Sequence, residues 1–184
     1  MASTDFTTRI GFPVAGVELD AVGGDFSAAT QLGVPAEEGG TIEVTGDYAK
    51  LKDGARMGIR DIIQHSKEIA VECALLDHKA KHLALSFGQP MTDVVDDAVG
   101  PPKDESFAIK TAFQGQIYFA LRLKIPQPQA STLFDIFTLY RVAPIVAFNQ
   151  SIQIGAHRFI NVRFEATQDS TNSYNLGTVV TEYA

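Results

Sequence analysis

The 184-residue sequence is poor in several residue types, and each shortage excludes a class of protein. It contains one cysteine and no tryptophan. A single cysteine permits neither an internal disulfide nor a zinc site built from several thiolates. We interpret Cys73 as a small core residue, because it falls on the apolar face of a predicted strand. No stretch approaches the ~18 apolar residues of a membrane helix. Residues 1–9 lack the apolar run of a signal peptide, so we expect neither a membrane span nor a secretory leader.

Positive charge is also scarce. The chain has 15 Lys and Arg against 22 Asp and Glu, which gives a formal net charge of −7. A protein that grips nucleic acid through its phosphates needs clustered Lys and Arg. The charge therefore argues against tight nucleic-acid binding, although it is compatible with a surface that lets nucleic acid pass. The simpler alternative is that the negative charge only keeps the protein in solution.

Catalytic and cofactor motifs are missing. The sequence has no Gly-x-Gly-x-x-Gly, no phosphate-binding Gly-Lys-Ser/Thr loop and no His-Glu-x-x-His. It also has no Gly-x-Ser-x-Gly elbow. We therefore predict a protein that is not an enzyme and that carries no cofactor.

Two groups of residues could in principle bind a metal ion. His78 and His82 have a possible ligand spacing on a helix, but Lys79 and Lys81 surround them with positive charge. A second group of carboxylates lies in a later loop without the spacing of a calcium-binding EF-hand, so we interpret it as a solvated acidic loop: Asp93, Asp96 and Asp97. We predict no metal site.

The chain does contain a repeated alternation of apolar and polar residues with period two, which predicts β-strands. The clearest run places Ile69, Val71, Cys73 and Leu75 on one face. Residues 107–113 and 117–125 predict a hairpin with its turn at Gly115. Residues 133–144 are apolar on both faces, which predicts a strand buried on both sides. The other runs with this alternation are 41–45, 159–166 and 178–183.

One helix is predicted at about residues 78–87. Asp77 is a suitable N-cap, and Gly88 followed by Pro90 is a typical end. One apolar stripe has helical spacing: Ala80, Leu83, Ala84 and Phe87. The expected fold class is therefore mainly β (α+β): a single domain over residues 1–184, with an N-terminal arm at about 1–12. It would be a β-sandwich or small barrel with one flanking helix.

Between the first predicted strands lies a long early connection, residues 46–66, rich in charges of both signs. A connection of this length in a compact domain is usually functional or disordered. It could pair with a complementary copy, it could be a mobile connection, or it could hide a short helix near residues 60–65. The candidate interaction residues are Asp47, Lys50, Lys52, Asp53 and Arg56.

The order of elements carries a resemblance to a known family. A Gly-rich arm, a strand, a charged loop and a strand leading into a helix that ends in Leu83-Ala-Leu-Ser-Phe-Gly88 are followed by strands to the end of the chain. Three late segments fit the same profile: Leu139-Tyr-Arg-Val-Ala-Pro-Ile145, His157-Arg-Phe-Ile-Asn-Val-Arg-Phe-Glu-Ala-Thr-Gln-Asp169 and Asn175-Leu-Gly-Thr-Val179. From about Gly11 onward, the chain resembles the tail tube (major tail) proteins of bacteriophages.

This resemblance implies a structural role. Such proteins are β-sandwiches that form homo-hexameric rings, and the rings stack into a hollow tube. The early loop, here with Asp47, Lys50, Lys52, Asp53 and Arg56, would reach the next ring. An electronegative lumen would let DNA pass during ejection without specific binding. The other implied partners are the tail terminator, the tape measure and distal tail proteins, and possibly a sheath. The implied location is the tail of the virion, after synthesis in the cytoplasm of a host bacterium.

Two other functions remain open from the sequence. The inner tube of a contractile injection or secretion apparatus would have a similar subunit. A ligand-binding β-sandwich, such as a carbohydrate-binding module, is the third reading. The absence of tryptophan argues against it, because sugar-binding surfaces usually present exposed aromatic platforms.

Overall fold

The structure is a computed structural model that describes residues 3–12, 16–32, 35–52, 59–75, 79–96, 105–110, 117–128, 130–146, 160–173 and 175–183. Its strands are β1 (Ser3–Phe12), β2 (Gly16–Asp20), β3 (Thr30–Gln31), β4 (Pro35–Lys52), β5 (Ile59–Leu75), β6 (Val95–Asp96), β7 (Glu105–Ser106), β8 (Phe119–Gln127), β9 (Ala130–Ile145), β10 (Ile160–Ala166) and β11 (Gly177–Thr181). The α-helix is α1 (Ala80–Ser86), and two short 3-10 helices span Met91–Asp93 and Ser170–Asn172.

Nine of the strands form one antiparallel sheet in the order β1-β4-β5-β10-β9-β8-β2-β3, while β11 pairs with β9 and lies off this path. Strands β6 and β7 make a separate two-stranded sheet. The long strand β9 organises the large sheet, because β8 pairs along one edge and both β10 and β11 pair along the other. The predicted fold class, mainly β with a single helix, is confirmed.

The core forms where strands from both halves of the sheet turn their apolar residues toward each other. Along β10, Ile160, Val162 and Phe164 are buried, whereas Asn161 and Arg163 between them are half-buried and Glu165 after them is exposed. This is the alternation expected when one face of a strand is buried. Cys73 is also in the core, as predicted, and burial raises the pKa of its thiol to about 12. The cluster includes Val17, Leu19, Ile42, Val71, Leu75, Leu85, Leu121, Leu123, Leu139 and Val142.

The predicted long early loop is wrong for most of its length. Residues 46–52 belong to β4 and residues 59–66 to β5, and the two strands form an antiparallel hairpin in which Lys50 lies opposite Ile62. The short helix near residues 60–65 is also wrong, because this stretch is β-strand. The charged side chains suggested a loop, but pairing between β4 and β5 satisfies the backbone groups whatever the side chains are. Residues 53–58 lie outside the described residues.

The helix prediction is confirmed in position and at its end. Gly88 has a left-handed backbone with φ of 70°. The amide of Gln89 donates to the carbonyl of Ala84 at 2.8 Å, and that of Gly88 donates to Leu85 at 2.9 Å, which is a Schellman end. No described helix is both long and apolar enough to cross a membrane.

The start and the buried face of α1 differ from the prediction. Lys79 is the N-cap residue, Asp77 lies outside the described residues, and the amide of Ala80 donates to a carboxylate oxygen of Glu105 at 3.1 Å. Leu85 is fully buried although it lies off the predicted stripe. The reason is that α1 is covered both by β9 and β10 and by the 3-10 turn after it.

The predicted hairpin of residues 107–113 and 117–125 is wrong. Residues 107–110 are not in a strand, and residues 111–116 lie outside the described residues. Strand β8 pairs with β2 on one side and with β9 on the other, so neither of its edges is free for the preceding segment. Strand β9 matches the prediction for residues 133–144, but the half before Leu139 is only partly buried. The predicted N-terminal arm includes β1, which pairs with β4 along its whole length.

Candidate functional surfaces

One face of β4, β5 and β10 points away from the core and is dominated by carboxylates. We call it the acidic face, and its charged residues among the described side chains are Glu43, Asp47, Glu68, Glu72, Glu165 and Arg163. These residues alternate along their strands with the buried residues of the core, which places them on the opposite side of the sheet. Five carboxylates therefore share this face, and Arg163 is the one guanidinium among its described side chains.

The arginine of the acidic face contacts three of its carboxylates. The Arg163 Nη1 atom lies 3.3 Å from Glu43 and 3.9 Å from Glu72, and its Nε atom lies 3.5 Å from Glu165. The side chains of Glu72 and Glu165 are about half exposed, at 50% and 49%. Among the described side chains of this face one positive group stands against five negative ones, so these side chains together present a negative potential to solvent.

A second charged group, which we call the ion cluster, lies on the outward side of β2 and β8. Glu18 sits in β2 between Gln31 of β3 and Arg122 of β8 in the strand register. Its carboxylate accepts hydrogen bonds from the Nε atom of Arg122, from Gln31 at 2.7 Å and from Lys124 at 3.1 Å. Only 5% of the Glu18 surface is exposed, so this carboxylate is buried by its own partners.

The balance of forces on Glu18 favours its ionised form. Burial by itself raises the pKa of Glu18, but the hydrogen bonds from Arg122, Gln31 and Lys124 outweigh it, so the pKa lies below its ordinary value of 4.5.

The ion cluster is covered by an adjacent loop. The guanidinium of Arg122 stacks over the ring of Phe26, with its central carbon 4.4 Å from the ring centre. Phe26 has a left-handed backbone, with φ of 63°, and its amide donates to Asp20 at 2.8 Å. That hydrogen bond holds the ring over the cluster in a conformation that a bulky residue rarely adopts.

The sheet divides where β10 ends, and a cleft opens there. The amide of Thr167, just after β10, still donates to the carbonyl of Arg141 in β9 at 2.8 Å. The chain then leaves β9 and returns to the same edge of it, where the amide of Tyr140 donates to the carbonyl of Leu176 at 3.1 Å. Strands β10 and β11 therefore run in line along one edge of β9, with a short excursion between them. Strand β5 diverges at this point, and the resulting cleft has a volume of about 620 Å³. Its apolar lining includes Ile42, Val44, Ile69, Val71, Phe137, Leu139 and Val179.

Strand β11 is an edge strand with exposed apolar side chains. Val179 is 59% exposed and Val180 is 54% exposed. The strand lies very close to β9, since a Cβ atom at Gly177 would collide with the carbonyl oxygen of Thr138. After the strand, the amide of Glu182 donates to Phe134 at 3.1 Å, which fastens the end of β11 to β9.

The structure places the predicted interaction residues on a strand rather than on a flexible loop. Asp47 lies opposite Ser66, Lys50 opposite Ile62 and Lys52 opposite Ile59, all in the β4–β5 hairpin. The two remaining predicted residues, Asp53 and Arg56, lie outside the described residues. The acidic face was not identified from the sequence, although its signal is present as carboxylates at alternate positions opposite the apolar residues of β5 and β10.

Within the described residues, no group of three or more His, Cys, Asp and Glu side chains could hold a metal ion. His82 is buried, and His78 lies outside the described residues. Asp93 pairs with Lys110 at 2.8 Å, Asp96 lies in β6 and Asp97 lies outside the described residues.

No protein-family model matches the chain, and a search of curated proteins finds no relative.

Proposed function

We propose that the chain is a structural subunit of a bacteriophage tail tube, in which homo-hexameric rings stack around a channel for DNA. The acidic face is the observation that carries this proposal. It is a regular sheet surface whose described side chains include five carboxylates, three of which contact Arg163. A channel wall of this kind repels the phosphates of passing DNA, so that DNA moves without adhering.

The range of this repulsion suits a narrow channel. At ~0.15 M salt the field of a surface charge is screened over about 8 Å, so it acts on DNA only near the wall. Glu68, Glu72 and Glu165, which are exposed, would supply most of the field. The described side chains of this face include no cluster of Lys or Arg that could bind the phosphates.

The β4–β5 hairpin supports contact between rings. It continues beyond the last residue of β5 that pairs with β10, which is Ala70. Strand β1 pairs with β4 as far as Ala49, so this arm is three-stranded up to that residue and two-stranded at its tip. Such an arm can reach a neighbouring ring while its base stays fixed in the sheet. In the proposed tube, Asp47, Lys50 and Lys52 lie along this arm, and Asp53 and Arg56 belong to the same segment of the sequence.

Two alternatives differ in their partners or ligands. The inner tube of a contractile injection or secretion apparatus would have the same subunit, and it predicts binding to a sheath protein. A ligand-binding β-sandwich is favoured by one observation, the 620 Å³ cleft, whose volume is typical of small-molecule sites. A glycan screen with micromolar binding that Phe137→Ala abolishes would support that function instead.

The proposal is tested by negative-stain electron microscopy of the purified protein at high concentration, alone and mixed with tail components. We expect rings or tubes with a central channel, and we expect that double-stranded DNA does not sediment with them at ~0.15 M salt. A protein that stays strictly monomeric in both preparations contradicts the proposed function.

A hairpin variant tests the role of the arm. Residues 51–61 are replaced by Asn-Gly, a two-residue turn that can join Lys50 to its cross-strand partner Ile62 without changing the register of the hairpin base. We expect single rings that do not stack. A companion variant carries Lys50→Ala and Lys52→Ala in a hairpin of full length, which separates the effect of these two charges from the effect of the length of the arm. Tubes of normal length from the shortened variant would show that the arm is not the stacking element.

A further inference from the structure

The cleft beside β11 is apolar inside and polar at its mouth. Its inner walls include Ile42, Val71, Leu123 and Leu139, which are buried. The polar side chains of the described lining are all exposed, which places them at the mouth: Ser66, Lys67, Gln168, Asn175 and Thr178. This gradient from apolar to polar fits a molecule with one apolar end and one polar end.

Lys67 interrupts the apolar face of β5 at the mouth of the cleft. The residues of β5 that face inward include Cys73, Val71 and Ile69, and the next position on the same side is Lys67. Alternation along the strand therefore directs a cation toward the space that Val71 and Ile69 line. Across the strand pair Lys67 lies opposite Gly46, which has no side chain to cover it.

The charge of Lys67 has no counter-ion within the described lining of the cleft. That lining contains no carboxylate, and Lys67 is the one charged side chain among its residues. The whole chain has a formal net charge of −7, which by itself repels anions and attracts cations. A preference of the cleft for an anion would therefore have to come from Lys67, which makes the preference a specific test of this side chain.

The interior of the cleft is suited to an aliphatic chain. Its volume of about 620 Å³ is typical of small-molecule sites. Phe137 is the one aromatic residue in the described lining, so these residues do not form the stacked aromatic platform that a sugar ring would need. An aliphatic chain needs only apolar contact, and each methylene that it buries strengthens binding by up to about fourfold.

We propose that the cleft binds a single-chain amphiphile with an anionic head group, a fatty-acid carboxylate. The alkyl chain lies along the apolar walls, and the carboxylate lies at the mouth, where the ammonium of Lys67 donates hydrogen bonds to it. The side-chain amides of Gln168 and Asn175 provide further donors at the same mouth. This inference concerns the single chain and does not depend on the proposed ring assembly.

Displacement of a fluorescent fatty acid tests the site. The probe is cis-parinaric acid, which emits strongly only in an apolar environment, and the protein is kept dilute. We expect one saturable site per chain. Decanoate should displace the probe more effectively than decylammonium, which has the same chain and the opposite charge, and butanoate should not displace it. An absence of saturable binding, or equal displacement by decanoate and decylammonium, would overturn the inference.

Reversal of the charge at Lys67 gives the sharpest variant. Lys67→Glu should weaken the binding of decanoate by about tenfold and should make decylammonium the better ligand. The side chain is exposed, so the variant should fold normally. The matched control is Lys81→Glu, at an exposed position of α1 outside the described lining, and it should keep the preference for decanoate. If Lys67→Glu also keeps that preference, Lys67 does not hold the head group and the proposed site is wrong.

Two adjacent valines distinguish the cleft from the outer surface. Val179 lines the cleft and lies opposite Phe137, whereas Val180 lies opposite Ile136 on the other face of the sheet. Their exposures are similar, at 59% and 54%. Val179→Asp should weaken decanoate binding by about fivefold, because it places a carboxylate in the cleft, and Val180→Asp should leave binding unchanged. Equal effects of the two variants would show that the ligand does not bind in the cleft.

The outcomes separate this inference from the proposed function. If the protein forms tubes but does not bind decanoate, the inference is wrong and the proposed function stands. If decanoate binds with the dependence on Lys67 and Val179 given above while the protein stays monomeric in both microscopy preparations, the site stands and the tube function is wrong.

Discussion

The acidic face and the ion cluster use charge in opposite ways, although both lie on outward surfaces of the same sheet. In the ion cluster one carboxylate, Glu18, is buried by two cations and an amide. On the acidic face the described side chains include five carboxylates and one guanidinium, and Glu68, Glu72 and Glu165 are exposed. Glu18 therefore has two cations for one carboxylate, whereas on the acidic face Arg163 contacts three carboxylates.

This difference separates a stabilising arrangement from one that shapes the surface. A buried, fully hydrogen-bonded carboxylate fixes β2 against β8 and β3, and it leaves little negative potential outside. Exposed carboxylates in excess contribute little to folding, because solvent screens their contacts. These carboxylates do determine the sign of the electrostatic potential at the surface. We therefore expect substitutions in the ion cluster to change stability and substitutions on the acidic face to change interactions.

The largest expected effect comes from Glu18→Gln. Removal of one partner of a fully buried ion pair typically costs ~3–5 kcal/mol, because the other charge stays buried. Arg122 and Lys124 keep 23% and 36% of their side-chain surface in solvent, which reduces the loss. We expect the free energy of unfolding to fall by about 2 kcal/mol. Urea denaturation at pH 7 measures this.

The matched control for Glu18→Gln is Glu72→Gln on the acidic face. The Glu72 side chain is half exposed and lies 3.9 Å from Arg163, so its loss should change the free energy of unfolding by no more than about 0.5 kcal/mol. Equal losses from the two variants would show that the two surfaces do not differ in the way that their geometry indicates.

The second expected effect is a pH dependence that Glu18 supplies. Burial raises the pKa of Glu18, but the hydrogen bonds from Arg122, Gln31 and Lys124 lower it by a larger amount. The pKa of Glu18 is therefore below 4.5. A lowered native pKa means that the unfolded state takes up protons first as pH falls. The contribution of Glu18 is therefore complete well above pH 4.5 and is lost as the pH falls below 4.5 and through the lower native value.

The measurement is the difference in unfolding free energy between the wild-type protein and Glu18→Gln. Urea denaturation determines this difference at a series of pH values from 7 downward. We expect this difference to shrink below pH 4.5. Two other carboxyls have lowered pKa values, Asp25 through its hydrogen bond with Ser27 and Asp169 through its bond with Asn172. Both carboxyls are present in the wild-type protein and in Glu18→Gln, so their contributions to the pH dependence cancel in the difference. A difference that stays constant with pH would contradict the assignment to Glu18.

The sequence predicted those parts of the fold in which local pattern and tertiary environment agree. Strands β5 and β10 alternate cleanly because one face of each is buried, and Gly88 ends α1 because the helix end requires a left-handed residue. The hairpin arm was mistaken for a loop because its strands are stabilised by backbone pairing, which leaves no apolar pattern in the charged part of β4. The pairing of β8 with β2 was not predicted, because it joins residues that are distant in the sequence.

The functional surfaces were harder to predict for the same reason. Glu18 and Arg122 are 104 residues apart and meet only through the pairing of β2 with β8. Glu43 and Arg163 are 120 residues apart and meet only because β5 lies between β4 and β10. A sequence pattern indicates that each of these residues faces outward, but it does not indicate which of them share a face.

The third expected effect is that of Arg163→Gln, and its dependence on salt distinguishes the acidic face from the ion cluster. The variant loses three contacts of 3.3 to 3.9 Å between Arg163 and the carboxylates of the face. Because the arginine side chain is 32% exposed, we expect a loss of about 1 kcal/mol at low salt. Urea denaturation in ~1 M salt should remove most of that loss, since the screening length falls to about 3 Å. Arg163→Lys keeps the positive charge and should recover more than half of the stability. A loss that is independent of salt in both variants would mean that packing, rather than charge, holds Arg163 in place, and the acidic face would then have no measurable field to act on DNA.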